Sequence, residues 1–162
     1  MSCDVAAAAF LFLASAGPAP AQPLIRVEAT APAPQSVAKE PLFTDIVQKA
    51  ARLKADTEAY RRQTSKAKAD AAALVLPKFD DFQSRIAALS DLDMQGHLEL
   101  AKTGADGDLK CILKGISQDL PKKLTELQGA KTAPDQDQAL RDMSYLLNDN
   151  VEVITAPPAP PV

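Results

Sequence analysis

Apolar and small residues recur at alternating steps of three and four along the first half of the chain. This spacing is the seam of a heptad repeat, which lies along a single face of an α-helix. It predicts one long helix from near Thr44 to Leu76, because Pro41 suits a first helical turn and Pro77 must end or kink the helix. The seam consists of Phe43, Ile46, Ala50, Leu53, Thr57, Tyr60, Thr64, Ala67, Ala71 and Leu74.

Further apolar faces at helical spacing follow Pro77. We expect Ser90 to cap the helix that runs beyond it and Pro121 to start another helix in its first turn. A last helix is predicted from near Asp135 to Asn148, with 151–154 as one short extended piece. Aromatic residues make up only 4% of the chain and Trp is absent, so aliphatic side chains must form the core, which favours helices.

These patterns together predict the fold class and its extent. We expect a small all-α helical bundle over residues 42–154, built around one long N-terminal helix. Residues 22–41 and 155–162 are rich in Pro and Ala, which disfavours regular structure, so they are predicted to be a disordered spacer and tail. A chain of 162 residues with 46% hydrophobic content fits one such domain with flexible ends.

Residues 1–21 have the order of a signal peptide. An apolar run from Val5 to Ala16 is followed by a Gly-Pro pair and by the small-x-small cleavage site at 19–21. The run is too short to span a bilayer as a helix. The alternatives are an uncleaved anchor and a buried first helix. The order favours cleavage, and it therefore predicts a periplasmic or secreted protein with no stable membrane span.

Residues that could support catalysis are scarce. The chain has a single histidine, His97, and a hydrolytic triad needs such a base beside a nucleophile and an orienting group. We expect His97 to be solvated or to cap a helix. Ser36 and Lys39 have the spacing of an SxxK motif, but they lie in the predicted spacer and the companion motifs are missing. The sequence therefore predicts no catalytic residue and no cofactor.

The segment from Asp91 to Lys102 has some of the spacing of a calcium-binding loop. Asp91, Asp93 and Gly96 occupy suitable positions, but the twelfth position, where the loop needs a bidentate glutamate, holds Lys102. Capping of a helix that follows Ser90 explains the same acids without an ion. We therefore predict no metal site.

Cys111 has a specific position on its predicted helix. Removal of residues 1–21 would remove Cys3 and leave Cys111 as the only cysteine. The residue lies nearly opposite the apolar face of its helix, between Lys110 and Lys114, whose charges favour the thiolate. It is therefore a candidate reactive or intermolecular thiol. The alternative is that Cys111 and Gly115 form a second face where another helix packs closely.

The predicted long helix also carries a basic stripe. Lys54, Arg61 and Lys68 occupy equivalent heptad positions beside the seam, where charged residues select partners. The stripe could face a partner, a second copy of the chain or anionic lipid. Alternatively, it could meet the acidic last helix of the same chain.

Composition excludes some functions and leaves others open. The net charge of −3 is too small to imply nucleic-acid binding, which requires a basic footprint, so we expect no nucleic-acid partner. The leading hypothesis is an exported, non-enzymatic interaction or structural protein that acts through helix faces on a protein partner or by self-association. The alternatives are a small redox or other enzyme that uses Cys111 and a helical bundle that binds a ligand in an apolar cavity.

Overall fold

The computed structural model describes residues 37–103 and 107–156. A short 3₁₀ turn (Val37–Lys39) precedes four α-helices, and all four pack into one bundle. The helices are α1 (Pro41–Thr64), α2 (Phe79–Thr103), α3 (Gly107–Gly129) and α4 (Ala133–Thr155). The prediction of a small all-α bundle is confirmed. The predicted signal peptide, most of the spacer and all but the start of the tail lie outside the described residues.

Helix α1 follows the heptad seam as predicted, but it is shorter than the seam. Its buried residues are the predicted seam positions Phe43, Ile46, Ala50, Leu53, Thr57, Tyr60 and Thr64. Pro41 lies in the first turn, where its missing N–H costs no helical hydrogen bond. The prediction of a helix to Leu76 is wrong, since α1 ends at Thr64 after 24 residues and has about the same length as the other helices.

Residues 65–78 form a strap of turns at 65–70 followed by an extended stretch at 71–76, and contacts from a distant part of the chain explain why this stretch is not helical. Ala73 N–H donates to Lys131 O (2.9 Å), and Ala133 N–H donates to Ala71 O (3.0 Å). The side chain of Gln136 bonds both backbone groups of Leu74. The strap therefore exchanges helical hydrogen bonds for bonds to the α3–α4 connection. Pro77 lies at the end of this strap and neither kinks nor directly separates two helices.

Ser90 and Pro121 both lie inside helices, contrary to prediction. Ser90 is a buried residue in the middle of α2, which begins earlier, at Phe79. Pro121 lies within the continuous helix α3. A proline inside a helix has no N–H for the carbonyl four residues earlier, which here belongs to Ser117. The Ser90 hydroxyl donates to that carbonyl (2.5 Å), so a neighbouring helix supplies the missing donor.

Helix α4 begins with a capped first turn and continues beyond its predicted end. Thr132 is the N-cap, and its hydroxyl oxygen accepts from Asp135 N–H (3.2 Å). The helix runs on to Thr155, so the prediction of an extended piece at 151–154 is wrong. The continuation buries Asn150 and Ile154 on the same face as the earlier core residues, which favours helix over an unpaired strand.

The helices pack mainly in two pairs, α1 with α4 and α2 with α3. Gly96 of α2 marks a close approach. A Cβ atom there would lie 3.1 Å from Leu113 of α3 and 3.3 Å from both Ile46 and Phe43 of α1. In the described part of the chain, no helix combines the length and the hydropathy needed to cross a bilayer.

Candidate functional site

An open groove between α1 and α4 contains two of the three residues of the predicted basic stripe. Its volume is about 230 Å³. The residues that line it are Lys54, Glu58, Arg61, Arg141, Ser144, Tyr145 and Asn148. We call this surface the α1–α4 groove. The heptad register explains it, because residues beside the buried seam of α1 must face the helix that packs on that seam.

Lys54 and Arg61, two members of the predicted basic stripe, lie in this groove. Lys54 Nζ donates to the neutral amide oxygen of Asn148 (2.6 Å). Arg61 pairs with Glu58 of its own helix (3.2 Å) and approaches the buried carboxylate of Asp137 on α4 (3.7 Å). The stripe thus meets α4 of the same chain at both positions.

Lys68, the third member of the stripe, does not join the other two. It lies in the strap beyond the end of α1 and is exposed, so it no longer shares the helical register on which its assignment depended. A role for the three residues in binding a partner stays a prediction.

The groove carries more positive than negative charge. Lys54, Arg61 and Arg141 contribute three positive charges, whereas Glu58 and Asp137, which pair with the guanidinium groups, contribute two negative charges. The Ser144 hydroxyl donates to Glu58, and this bond, aided by Arg61 and opposed by burial, lowers the pKa of Glu58. The carboxylate therefore stays ionised and is already engaged within the groove.

Tyr145 lies at the edge of the groove and was not identified from the sequence. Its side chain is 66% exposed, an unusual position for a large aromatic residue in a chain with few of them. A second groove of about 380 Å³ lies on its other side, lined by Lys122, Lys123, Leu146 and three carboxylates of α3 and α4. The signal in the sequence is an aromatic residue outside the apolar stripe of α4.

A buried polar pair joins α2 to α4. Asp93 and Asn150 are both 0% exposed. Asn150 Nδ2 donates to both carboxyl oxygens of Asp93, at 2.9 and 2.8 Å, while Asn150 Oδ1 is buried and has no hydrogen-bond partner. Burial raises the pKa of Asp93 to about 7, and the bond from Asn150 opposes this only in part.

The burial of Asp93 has a signal in the sequence. Asp93 was interpreted as a capping acid, but it lies in the middle of α2 on the buried face defined by Ile86, Leu89 and Leu100. A polar residue at helical spacing from core residues on both sides is expected to be buried. Its partner, 57 residues away, could not be identified from the sequence.

The other predicted sites lie apart from the groove. Within α2 the backbone is helical from Asp91 to Lys102, so the calcium-loop spacing does not form a loop, and Asp91 is exposed. No cluster of three or more potential metal ligands occurs among the described residues. His97 is half-buried, and its ring Nδ1–H donates to Lys110 O on α3 (2.7 Å), which places it between helices rather than in solvent.

Cys111 lies half-buried on α3 and is not a free thiol in the structure. Gly115, one turn later, has no atom of the described structure within 4 Å of the place where a Cβ would lie, so the predicted close helix packing is not seen there. Thiol reactivity of Cys111 and its pairing with another chain stay predictions.

Comparison with family models, with curated proteins and with solved structures gave no match for this chain.

Proposed function

We propose that this chain is an exported, non-enzymatic binding protein that engages an acidic segment of a protein partner through the α1–α4 groove. The observation that carries the proposal is the exposed Tyr145 beside a groove with an excess of positive charge. Tyrosine and arginine are enriched among the residues that dominate binding energy at protein interfaces. The chain as a whole has a net charge of −3, so this local excess stands out against an acidic background.

The ion pairs within the groove leave Lys54 as its most available cation. Both arginines pair with carboxylates, whereas the hydrogen bond of Lys54 goes to a neutral amide. An acidic side chain of a partner can displace Asn148 and gain a charge-assisted bond. Tyr145 then supplies a rigid apolar surface next to the ion pair, at a low cost in conformational entropy.

Export is part of the proposal and rests on the order of residues in 1–21. The signal peptide predicts a mature protein that begins at Gln22.

The proposal predicts that Lys54→Glu weakens the binding of an acidic probe. We suggest labelled poly-L-glutamate as the probe, with binding followed by fluorescence anisotropy at low salt. Lys54→Glu and Tyr145→Ala should each weaken binding at least tenfold, and salt should weaken binding of the native protein. Arg62→Glu is the matched control, because Arg62 is exposed on the same helix outside the groove and the charge change is the same. If Lys54→Glu and Arg62→Glu weaken binding of the probe equally, the effect comes from the net charge of the protein and not from the groove, which would contradict the proposal.

The partner itself can be sought with a photo-crosslinking residue at position 145 in cells that make the full chain. A control crosslinker at Ala87, an exposed position on α2, reports non-specific contacts. The proposal expects an adduct with an acidic protein at 145 that is absent at 87 and is lost on Lys54→Glu. The adduct should appear in the envelope or medium, on a chain that begins at Gln22. An adduct with a second copy of the chain would indicate self-association instead.

A further inference from the structure

The Asp93–Asn150 pair lies in an apolar part of the core with no cation among its hydrogen-bond partners. One turn along α2, the Gly96 backbone is surrounded by the side chains of Phe43, Ile46 and Leu113. Both members of the pair are fully buried. An ionised carboxylate in such a place costs much free energy unless an opposite charge compensates it.

The charged and titratable groups on the surrounding helices do not provide that charge. On α1, Asp45 and Lys49 pair with each other in solvent, and Lys54 Nζ donates to the amide oxygen of Asn148 (2.6 Å) rather than to Asp93 or Asn150. Tyr60 bonds Pro77 O near Phe82, eleven residues from Asp93 and roughly 16 Å along α2. The buried Asp137 of α4 lies thirteen residues from Asn150, roughly 20 Å along the helix. The groups nearest in sequence to Asp93, to Asn150 and to the facing residue Leu113 are partly or fully exposed: Asp91, His97, Lys110, Lys114, Asp149 and Glu152.

The unpartnered amide oxygen of Asn150 points to a neutral acid. A carboxylate only accepts, so an ionised Asp93 has no donor for Asn150 Oδ1, which is buried without a partner. A carboxylic acid has one O–H donor. After a rotation of the amide, the acid donates to Asn150 Oδ1 while Asn150 Nδ2 donates to the other acid oxygen. Both buried groups are then satisfied, whereas the ionised form leaves one of them unpaired.

We propose that Asp93 is held as a neutral carboxylic acid paired with Asn150, and that its ionisation at rising pH loosens the contact between α2 and α4. Burial raises the pKa of Asp93 to about 7, which agrees with the unpartnered Asn150 Oδ1 beside it. This proposal does not depend on the function proposed for the α1–α4 groove.

The direction of the pH effect follows from the two states of Asp93. Its pKa is about 7 in the folded chain and has an ordinary value of 3.8 when the chain unfolds. The stabilising contribution of the neutral acid is therefore complete below 3.8 and is lost as pH rises towards 7. In this range Asp93 should lower the folding equilibrium constant about tenfold per pH unit.

The test compares the full chain with two single variants. Asp93→Asn replaces the acid with an amide of the same shape that cannot ionise and that still forms two hydrogen bonds with Asn150. Asp91→Asn is the matched control, since it removes an exposed carboxylate two residues away on the same helix. Urea unfolding at pH 4 to 8 gives the folding constant of each protein. We expect the folding constant of the native protein, divided by that of Asp93→Asn, to fall about tenfold per pH unit between pH 4 and 7. The folding constant of the native protein divided by that of Asp91→Asn should stay nearly constant over the same range. A pH-independent ratio for Asp93→Asn, or a variant that is less stable than the native protein at pH 8, would overturn the proposal.

A direct titration keeps the proposal testable if Asp93→Asn does not fold. The native full chain, labelled with ¹³C at aspartate carboxyl groups, reports each carboxyl by its chemical shift. One aspartate should titrate with a midpoint near pH 7, and Asn150→Asp or Asn150→Ala should perturb that resonance. If every aspartate of the folded native chain titrates at or below its ordinary value, Asp93 is ionised and the proposal is wrong.

Discussion

Ser90 and Pro121 lie on neighbouring helices and meet at the carbonyl group of Ser117. Each residue looked like a helix boundary when taken alone, because serine is a good N-cap and proline a good first-turn residue. In the bundle, both residues lie inside helices, and the hydrogen bond from Ser90 to the Ser117 carbonyl compensates for the proline. Pro121 leaves the Ser117 carbonyl without its helical donor, and Ser90 provides one at 2.5 Å. Sequence periodicity cannot reveal this exchange, because the two residues belong to different helices.

We predict that Ser90→Ala lowers the free energy of unfolding by about 1–3 kcal/mol, because it leaves a buried carbonyl unsatisfied. In a Pro121→Ala background the same change should cost less than about 1 kcal/mol, since an alanine at this position would restore the helical N–H. Denaturant unfolding of the four proteins in this cycle measures the coupling.

Ser84→Ala provides the matched control for this cycle. The Ser84 hydroxyl also bonds a carbonyl, that of Asp80, but on the exposed surface of the same helix. Its loss should change stability by less than about 0.5 kcal/mol. A cost of Ser90→Ala that is the same in the native and the Pro121→Ala backgrounds would show that Ser90 does not compensate for the proline.

At the scale of elements, the heptad seam predicted α1 correctly as far as Thr64 and failed beyond it. The seam continued with Ala67, Ala71 and Leu74, but alanine buries little surface and provides little packing energy to hold a helix. Instead, the side-chain amide of Gln136, 62 residues from Leu74, forms hydrogen bonds with both the N–H and the C=O of Leu74, as a neighbouring β-strand would. A local pattern contains no information about such a distant competitor, so the extended strap was unpredictable.

We predict that Gln136→Ala releases the strap. Leu74 N–H donates to Gln136 Oε1 (2.7 Å), and Gln136 Nε2–H donates to Leu74 O (3.0 Å). Loss of both bonds should speed hydrogen exchange at the Leu74 amide at least tenfold and should lower stability by about 1–3 kcal/mol. Gln138→Ala removes an exposed glutamine of the same helix and should leave this amide protected. Unchanged exchange at Leu74 in Gln136→Ala would show that the backbone bridge alone holds the strap.

At the scale of the whole molecule, composition and periodicity were sufficient for the fold class but not for the candidate site. Aliphatic content and apolar spacing follow local rules, so an all-α bundle could be predicted. The α1–α4 groove and the Asp93–Asn150 pair depend on which helices are neighbours, and the apolar stripes of the four helices do not encode that choice. Lys54 and Arg61 could be identified from the sequence because they flank a heptad seam. Tyr145 and Arg141 could not, because they belong to the groove only through the packing of α4 against α1.

Two buried or half-buried carboxyl groups, Glu58 and Asp93, should make the stability of the bundle depend on pH in an unusual way. The pKa of Glu58 is lowered from 4.5, chiefly by the Ser144 hydroxyl. The ionised Glu58 therefore stabilises the folded chain above pH 4.5, and this stabilisation is lost as pH falls through the pKa that Glu58 has in the folded chain. The pKa of Asp93 is raised from 3.8 to about 7, so the stabilisation that the neutral acid gives to the folded chain is lost as pH rises between these values. The two effects oppose each other where these ranges overlap, between 3.8 and 4.5, and the maximum of stability lies there.

We therefore predict that the native protein is most stable at about pH 4, on the acid side of the range of about 5 to 8 that is usual for proteins. Thermal unfolding followed by circular dichroism from pH 3 to 9 measures this profile. Asp93→Asn should move the maximum towards neutral pH, because the loss between 4 and 7 disappears. Ser144→Ala should weaken the acid-side loss, because Glu58 then has a more ordinary pKa in the folded chain. A native maximum at neutral pH that Asp93→Asn leaves in place would contradict the prediction, because ionisation of Asp93 would then have no effect on the stability of the bundle.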